Sequence, residues 1–304
     1  MTDNRPSGSP RAPAGAGAIA ATQTETLEAV VHRLAKRFGA AGSQSPALDA
    51  RLLVCKALGL DEAAYIRQGR ELLAPEAGAD IERLAARREA GEPMAYLLGS
   101  KEFWGLTFTV DRHVLIPRPD SETLIEAALA RLTACAGTPT VVDFGTGSGN
   151  LLLSLLVNAP HAVGIGLDRS LPALELAAMN ARRHGCSERA WFACGDWGEA
   201  LEVEADLVVA NPPYIPHKDW RHLMSEVRDF EPTSALIGGE TGLVAYPGLL
   251  AWCRRHLKAS GQAFFEFGQD QEDAVAQLAK QSGFDRLSIL KDLSGKPRCL
   301  NVLA

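Results

Sequence analysis

The sequence contains the tetrapeptide Asn211-Pro212-Pro213-Tyr214, whose residue types suit the handling of a planar amino group. It follows the apolar run 205–210, which predicts a buried strand, so Asn211 is expected at the carboxyl end of that strand, where open α/β sheets bind ligands. The prolines lack N–H groups and stiffen the turn, which leaves the Pro212 carbonyl as an acceptor beside the Asn211 carboxamide oxygen. These two acceptors would hold an NH2 group, and the Tyr214 ring would lie against the flat face of the group that carries it.

We therefore predict catalytic roles for Asn211, Pro212 and Tyr214. A Pro-Pro loop that merely ends a strand explains the tetrapeptide by itself equally well, so the rest of the chain must decide between the two interpretations.

A glycine-rich turn lies between a predicted strand, 140–144, and a predicted helix, 151–157. Its spacing is G-x-G-x-G, which differs from the G-x-G-x-x-G of the dinucleotide fingerprint. Glycines let a ligand approach the backbone closely, and the helix N-terminus that follows favours a carboxylate. S-adenosylmethionine carries such a carboxylate, together with an ammonium group that an acid would face. The cofactor-binding positions predicted in this segment are Asp143, Gly145, Thr146, Gly147, Ser148 and Gly149.

Two further strand ends carry side chains that suit the rest of this cofactor. Strand 162–167 is followed by Asp168, at the distance from the glycine turn expected of an acid that accepts from ribose hydroxyls. Strand 190–194 is followed by Asp196 and Trp197, an acid and an aromatic ring that suit the amino group and the face of an adenine. Each of these residues alone is more often a plain surface residue. Together with the Asn-Pro-Pro-Tyr turn they predict a methyl-donor site, with the methyl group directed toward Asn211.

Composition limits the function classes. The chain has 304 residues, of which 46% are hydrophobic, and this indicates two domains, one of them large. The formal net charge of −6 argues against binding to nucleic acid mainly through phosphates. The six cysteines show no C-x-x-C pattern, so we expect no disulfides and no metal site, and reduced thiols favour a cytoplasmic location. No apolar stretch reaches the about 18 residues that span a membrane.

The elements before the glycine turn are expected to form separate units. Residues 1–23, rich in Pro, Gly, Ala and Ser, predict a disordered tail. Helical periodicity with boundary signals at Ser45 and Gly59 predicts a helical domain over 24–100, which we interpret as a substrate-recognition module because it lacks catalytic residue types.

A β-hairpin is predicted over 101–120 as the linker to the catalytic domain, 121–304. Its turn is expected at Asp111-Arg112, with a returning strand at 114–116. Asp120 or Ser121 is the expected N-cap of the next helix, 122–132. The later helices and strands look structural, and a long loop near 231–243 is expected over the site as a lid or a plain connection.

Taken together, these motifs resemble those of the PrmC/HemK family of glutamine N5-methyltransferases, which act on peptide chain release factors. The resemblance covers the chain from about residue 25 to its end and is carried by Glu92 to Tyr96, Glu102 to Gly105, Leu115 to Glu122, the glycine turn, Gly195 to Trp197, and Asn211 to Tyr214. It implies an α/β fold, namely a seven-stranded Rossmann-like methyltransferase domain with a small N-terminal helical domain joined by a β-hairpin. It also implies that S-adenosylmethionine is the cofactor, that Asn211 contacts this donor, and that the substrate is the glutamine of a Gly-Gly-Gln motif.

The expected substrate pocket is narrow and suited to one planar amide. Its predicted lining is Asn211, Pro212, Pro213 and Tyr214, with Phe103 of the hairpin opposite. The predicted partner is a release factor, with no membrane and no direct nucleic-acid substrate.

Three other functions stay open at this stage: glutamine methylation of a large-subunit ribosomal protein, adenine-N6 methylation of nucleic acid, and a non-catalytic protein-binding module. The first shares the chemistry, but its enzymes depart from the form that this chain keeps at Pro117 to Glu122. The second calls for a basic surface or a target-recognition domain, and neither is evident. The third predicts erosion at Asp168 or Asn211, and both residues are present.

Overall fold

The computed structural model describes residues 25–197 and 201–304, so the predicted tail, 1–23, lies outside the described residues. The N-terminal part is helical, as predicted. Its described helices are α1 (Leu27–Ala40), α2 (Pro46–Leu58), α3 (Glu62–Gln68), α4 (Pro75–Glu89) and α5 (Met94–Leu98). The helix α2 begins with a proline and ends at Gly59, whose φ of 65° satisfies the left-handed C-terminal position. Apolar residues such as Val30, Leu34, Phe38 and Leu53 form a core of their own.

A buried arginine joins these helices to the rest of the chain. Arg88 of α4 contacts Asp49 of α2 at 2.8 Å, and the two side chains are 7% and 6% exposed. Arg88 also donates to Glu226 of the later helix α9 (Ser225–Phe230). The helical part is thus tied to a segment that precedes the cavity wall described below.

The β-hairpin is present, but its turn lies earlier in the chain than predicted. Strand β1 (Ser100–Phe103) pairs antiparallel with β2 (Leu106–Thr109), so the turn consists of Trp104 and Gly105. Their φ values are 52° and 70°, and positive φ at both central residues is what a two-residue type I′ turn requires. A turn does follow Asp111, since the Val114 N–H donates to the Asp111 carbonyl at 3.2 Å, but it is not the turn of the hairpin. The predicted returning strand at 114–116 is wrong, because residues 110–118 contain no strand.

The second part of the chain contains a seven-stranded sheet with the order β5-β4-β3-β6-β7-β9-β8. Its strands are β3 (Thr140–Phe144), β4 (Val163–Asp168), β5 (Ala190–Cys194), β6 (Ala205–Ala210), β7 (Leu257–Glu266), β8 (Leu287–Lys291) and β9 (Pro297–Leu303). Strands β5, β4, β3, β6 and β7 are parallel, whereas β9 is antiparallel to both of its neighbours. The chain leaves β3 toward one side through β4 and β5 and returns to the other side at β6, which makes the β3–β6 junction the topological switch point.

Helices cover both faces of this sheet. They are α6 (Glu122–Thr133), α7 (Asn150–Asn158), α8 (Leu171–Arg183), α10 (Ala245–His256) and α11 (Glu272–Gln281). Successive residues of β3 serve opposite cores, because Val141 packs with α6, α7 and α8 while Val142 packs with α10 and α11. The predicted seven-stranded α/β fold is confirmed. Within the described ranges, no helix is both long and apolar enough to cross a membrane.

Candidate active site

The registers of four parallel strands bring residues at their carboxyl ends into one row. Phe144 of β3 pairs with Leu167 of β4 and with Ala210 of β6, and Ala210 pairs in turn with Phe265 of β7. Each of these residues is followed by one that stands at the carboxyl edge of the sheet: Asp168, Gly145, Asn211 and Glu266. The sheet therefore aligns the predicted donor loop, the predicted ribose ligand and the predicted catalytic asparagine, and adds a fourth residue to them.

A cavity of about 490 Å³ opens at this edge. Most of the predicted site residues line it, namely Gly145, Thr146, Gly147, Ser148, Asp168, Asp196, Trp197, Asn211 and Pro213. The loop after Glu231 contributes further lining residues, including Pro232, Ser234 and Gly239. This loop does lie over the site, as expected from the sequence.

Asp168 holds the glycine loop, residues 145–149, through hydrogen bonds to the backbone. Gly145, Gly147 and Gly149 have φ values of 70°, 54° and 79°, a region that other residues rarely adopt. One carboxylate oxygen of Asp168 accepts from the Gly147 N–H and the other from the Ser170 N–H, both at 2.9 Å. The same carboxylate lines the cavity and keeps acceptor capacity there, so Asp168 joins the loop to any ligand that it binds.

Asp143 lies under the glycine loop and not in the cavity wall. Its side chain is fully buried, and its Oδ2 accepts from the Thr146 hydroxyl at 2.6 Å. Burial raises the pKa of Asp143 to about 7, against the opposing effect of the Thr146 hydrogen bond. The expected direct contact of Asp143 with the donor is not what the structure shows; the carboxyl group positions Thr146 instead.

Gly149 is also absent from the cavity lining, because it begins helix α7 and faces the core. A Cβ at this position would lie 3.0 Å from Leu153 Cδ1, so the glycine is needed for packing. Trp197, by contrast, stands over the loop: a Cβ built on Gly145 would lie 4.0 Å from its Cζ3. The φ of Trp197 is 42°, an uncommon conformation for a bulky residue and one that is typical of functional sites.

Asn180 connects the glycine loop to the hairpin. This fully buried residue of α8 donates to the Ser148 carbonyl at 2.8 Å and to the Thr109 carbonyl at 3.0 Å. Its Oδ1 accepts from the Thr109 N–H at 2.8 Å. One side chain thus holds the donor loop and strand β2 together.

Asn211 is held by a chain of hydrogen bonds. Its Nδ2 donates to the Ser121 hydroxyl at 3.1 Å, and Ser121 donates to Glu266 Oε2 at 2.5 Å. Ser121 does occupy the N-cap position of α6, as expected, but its side chain makes no capping hydrogen bond to the helix. The Ser121 hydroxyl donates to the buried Glu266 carboxylate instead, because a buried carboxylate without a donor costs more free energy than an N–H group left to water at an exposed helix end.

Pro212, Tyr214 and Phe103 lie outside the cavity lining. Pro212 is buried, and Tyr214 is mostly buried with its hydroxyl 3.4 Å from Glu266 Oε1. Burial and the nearby Glu266 raise the pKa of Tyr214. Phe103 is 2% exposed and packs against Phe108, with 6.4 Å between ring centroids. The expectation that Phe103 faces Tyr214 is wrong, because the hairpin turns directly after Phe103 and directs this ring into the core.

Arg118 and Glu231 form a pair that sequence analysis did not identify. Arg118 lines the cavity and donates to Glu231 Oε1, while Glu231 Oε2 accepts from the Ile116 N–H at 3.1 Å. Burial raises the pKa of Glu231, and the neighbouring Arg118 opposes this rise. Both residues lie next to prolines in segments without regular secondary structure. Their spacing in the sequence gives no indication that the two segments are in contact.

The residues around the cavity fit S-adenosylmethionine. Gly145 and Gly147 leave room where a Cβ would stand, and the acids Asp168 and Asp196 suit hydroxyl and amino groups. Trp197 offers an aromatic face at the same edge. Among the residues that the structure describes, no cluster of His, Cys, Asp and Glu is arranged to hold a metal ion.

Comparison with protein families and solved structures agrees with this geometry. The PrmC N-terminal domain model matches residues 21–99, and the methyltransferase small domain model matches residues 121–235. A methyltransferase from Pyrococcus furiosus is similar in fold, with a TM-score of 0.50, 15% identity, and coverage of 73% of this chain and 98% of the other. The hMettl16 catalytic domain gives a TM-score of 0.56 at 13% identity, covering 71% of this chain and 81% of the other. At these identities the likeness concerns the fold alone.

Curated relatives are similar over nearly the whole chain. A release factor glutamine methyltransferase of Rhodospirillum rubrum is 42% identical over 286 residues, which are 94% of this chain and 87% of the relative. The proteins of the same name from Bradyrhizobium diazoefficiens and Vibrio cholerae are 40% and 36% identical, covering 91% and 90% of this chain and 94% and 95% of the relatives. The chain therefore belongs to the family of release factor glutamine methyltransferases.

Proposed function

We propose that this protein transfers the methyl group of S-adenosylmethionine to the side-chain amide N5 of the glutamine in the Gly-Gly-Gln motif of a peptide chain release factor. The observation that carries the proposal is the position of Asn211, whose carboxamide lines the cavity in the same strand-end row as the donor loop. The names of the relatives support the substrate class.

An amide nitrogen is a poor nucleophile, because its lone pair is delocalised into the carbonyl. Pro212 is not itself a lining residue, but it directly follows Asn211, so its main-chain carbonyl is the second proposed acceptor beside Asn211 Oδ1. Together they would hold both hydrogens of the substrate NH2 and direct the lone pair outward. Bound S-adenosylmethionine supplies an electrophilic methyl group. No strong base is needed before transfer, since the nitrogen becomes strongly acidic once it carries the methyl group and a positive charge, and its proton can then leave to water.

The test of this function is methyl transfer from labelled donor to three purified substrates: a release factor, a large-subunit ribosomal protein and DNA. We expect one methyl group on the Gly-Gly-Gln glutamine of the release factor, located by mass spectrometry of its peptides. A higher kcat/KM for the ribosomal protein, or label on adenine, would replace the proposal by the corresponding alternative.

Asn211→Ala is the matching variant. Because it removes a positioned acceptor, we expect kcat to fall by a factor on the order of 10² or more, with a smaller change in donor affinity. Undiminished kcat in this variant contradicts the role of Asn211.

The release factor and the absence of a nucleic-acid substrate are parts of the same proposal, as is a cytoplasmic location, where translation factors act. The six cysteines are unpaired in the structure, which is compatible with a reducing compartment.

A further inference from the structure

Glu266 is the one member of the strand-end row that sequence analysis did not anticipate. It ends β7 beside Asn211, because Phe265 pairs with Ala210. Its side chain is 2% exposed, and both of its oxygens have partners: Ser121 on Oε2 and the Tyr214 hydroxyl on Oε1. The buried carboxylate therefore contacts Ser121, which directly precedes α6, and Tyr214, the last residue of the Asn-Pro-Pro-Tyr turn. It lies behind the residues for which catalytic roles are predicted.

While Glu266 is ionised, the hydrogen bonds that link Asn211, Ser121 and Glu266 allow only one arrangement of donors and acceptors. A carboxylate accepts and cannot donate, so the single hydroxyl hydrogen of Ser121 is used on Glu266. The Ser121 oxygen can then only accept, and what it accepts is the NH2 of Asn211. The amide oxygen of Asn211 is thereby left for the cavity, where the proposed substrate presents an NH2 group.

We propose that Glu266 is a positioning residue that acts through the Ser121 hydroxyl to hold the Asn211 carboxamide with its oxygen toward the substrate amide. The inference deepens the proposed function and rests on it. Without this restraint the Asn211 carboxamide can rotate by half a turn so that its NH2 group faces the NH2 group of the substrate. No hydrogen bond forms between two NH2 groups in that arrangement.

The charge of Glu266 decides whether the restraint acts. Burial raises its pKa to about 7; the Ser121 hydrogen bond, Arg298 and the Tyr214 hydrogen bond lower it, and Asp120 raises it. Burial raises the pKa of the Tyr246 and Cys299 side chains, and the nearby charge of Glu266 adds to this rise. Once protonated, Glu266 can donate to Ser121, and Ser121 can then donate to Asn211 Oδ1. Because the ionised form is the active one, activity should rise with pH through about 7.

The first test is the pH profile of kcat for the wild type and for Glu266→Gln, at saturating donor and release factor. A glutamine side chain both donates and accepts, so it cannot impose one orientation on Ser121. We expect kcat at pH 8 to fall about ten-fold or more, the dissociation constant for S-adenosylmethionine to stay within about two-fold, and the acidic limb near pH 7 to vanish. A variant that keeps both the wild-type kcat and the acidic limb overturns the proposal.

The second test is a pair of variants of equal shape, Ser121→Thr and Ser121→Val. Only the threonine variant keeps the hydroxyl, so we expect its kcat to exceed that of the valine variant by about ten-fold. Equal kcat values in two folded variants that bind the donor equally would overturn the relay. Glu175→Ala is the control, because it removes an exposed acid of α8 that takes no part in these hydrogen bonds, so kcat should not change.

A third measurement separates this inference from the proposed function. The side-chain NH2 of Asn211 gives its own ¹⁵N NMR resonances, which should show slow hydrogen exchange in the wild type and faster exchange in Ser121→Val, whether or not a substrate is methylated. If the wild type methylates no release factor but these resonances behave as expected, the proposed function fails and the positioning of Asn211 stands. Unchanged exchange in Ser121→Val contradicts the positioning itself.

Discussion

Asp168 uses one carboxylate for two tasks, because it accepts from two backbone N–H groups and also lines the cavity. Removing it should therefore loosen the glycine loop and delete a ligand group at the same time. We expect Asp168→Ala to weaken S-adenosylmethionine binding by at least about ten-fold, since hydrogen bonds to a charged group contribute about 1.5–3 kcal/mol. Isothermal titration calorimetry measures this directly.

The matched control for this prediction is Glu175→Ala, which removes an exposed acid of the neighbouring helix α8. Donor affinity should be unchanged in the control. Equal affinity in the Asp168 and Glu175 variants, or tighter binding of NAD than of S-adenosylmethionine, would contradict the donor site.

At the scale of residues, the sequence identifies those that follow strands and misses those that depend on pairing between distant segments. Asp168, Trp197 and Asn211 follow clear strands, so their meeting at one edge is a consequence of parallel pairing. Glu266 also follows a strand, but a lone acid there carries no signal of its own. Its role arises from contact with Ser121, which is far away in the sequence and which local pattern alone assigns to a helix cap.

At the scale of elements, the helices and central strands follow from periodicity, whereas the hairpin does not. The polar pair Asp111-Arg112 is a plausible turn from composition. Trp104-Gly105 forms the turn of the hairpin because Gly105 readily takes positive φ, while the Trp104 ring packs against the core. A shift of the turn also changes which side chains face inward, and this is why Phe103 lies in the core.

The buried pair between α2 and α4 gives a prediction at this scale. Replacing Arg88 by methionine leaves Asp49 buried without its cation, although Ser43 and Ser45 still donate to it. Because breaking a buried ion pair from one side is costly, we expect Arg88→Met to lower the free energy of unfolding by about 3 kcal/mol. Urea denaturation followed by circular dichroism measures the loss.

The adjacent Arg87 provides the control, because its pair with Glu92 involves an arginine that is 43% exposed. Arg87→Met should change the free energy of unfolding by less than about 1 kcal/mol, as is usual for surface pairs. An equal loss in the free energy of unfolding in the two variants would contradict a larger contribution of the buried pair to stability.

At the scale of the whole molecule, we propose that selection of the amide and selection of the protein that carries it fall to different parts of the chain. We predict that deletion of residues 1–90 abolishes methylation of an intact release factor while leaving S-adenosylmethionine affinity within about two-fold, since the residues that line the cavity lie between 113 and 245. Calorimetry and methyl-transfer assays with the deletion variant and the full chain provide the comparison.

A short Gly-Gly-Gln peptide is the control substrate for this deletion. It offers the amide without the rest of the factor, so the truncated and full-length proteins should methylate it at similar rates once circular dichroism shows that the truncated chain is folded. Full activity of the truncated protein on the intact factor would remove the recognition role from the N-terminal helices.

Asn180 bonds to both the Ser148 carbonyl of the donor loop and the backbone of Thr109 in the hairpin, so neither partner can shift without disturbing the other. Thermodynamic linkage then requires reciprocity. If donor binding orders the glycine loop, restrains the hairpin and so raises the affinity for a release factor that contacts the hairpin, binding of that factor must raise the affinity for the donor by the same factor. The protein would thus prefer to hold both reactants together over holding either one singly, and the order in which they arrive would not alter the final affinity.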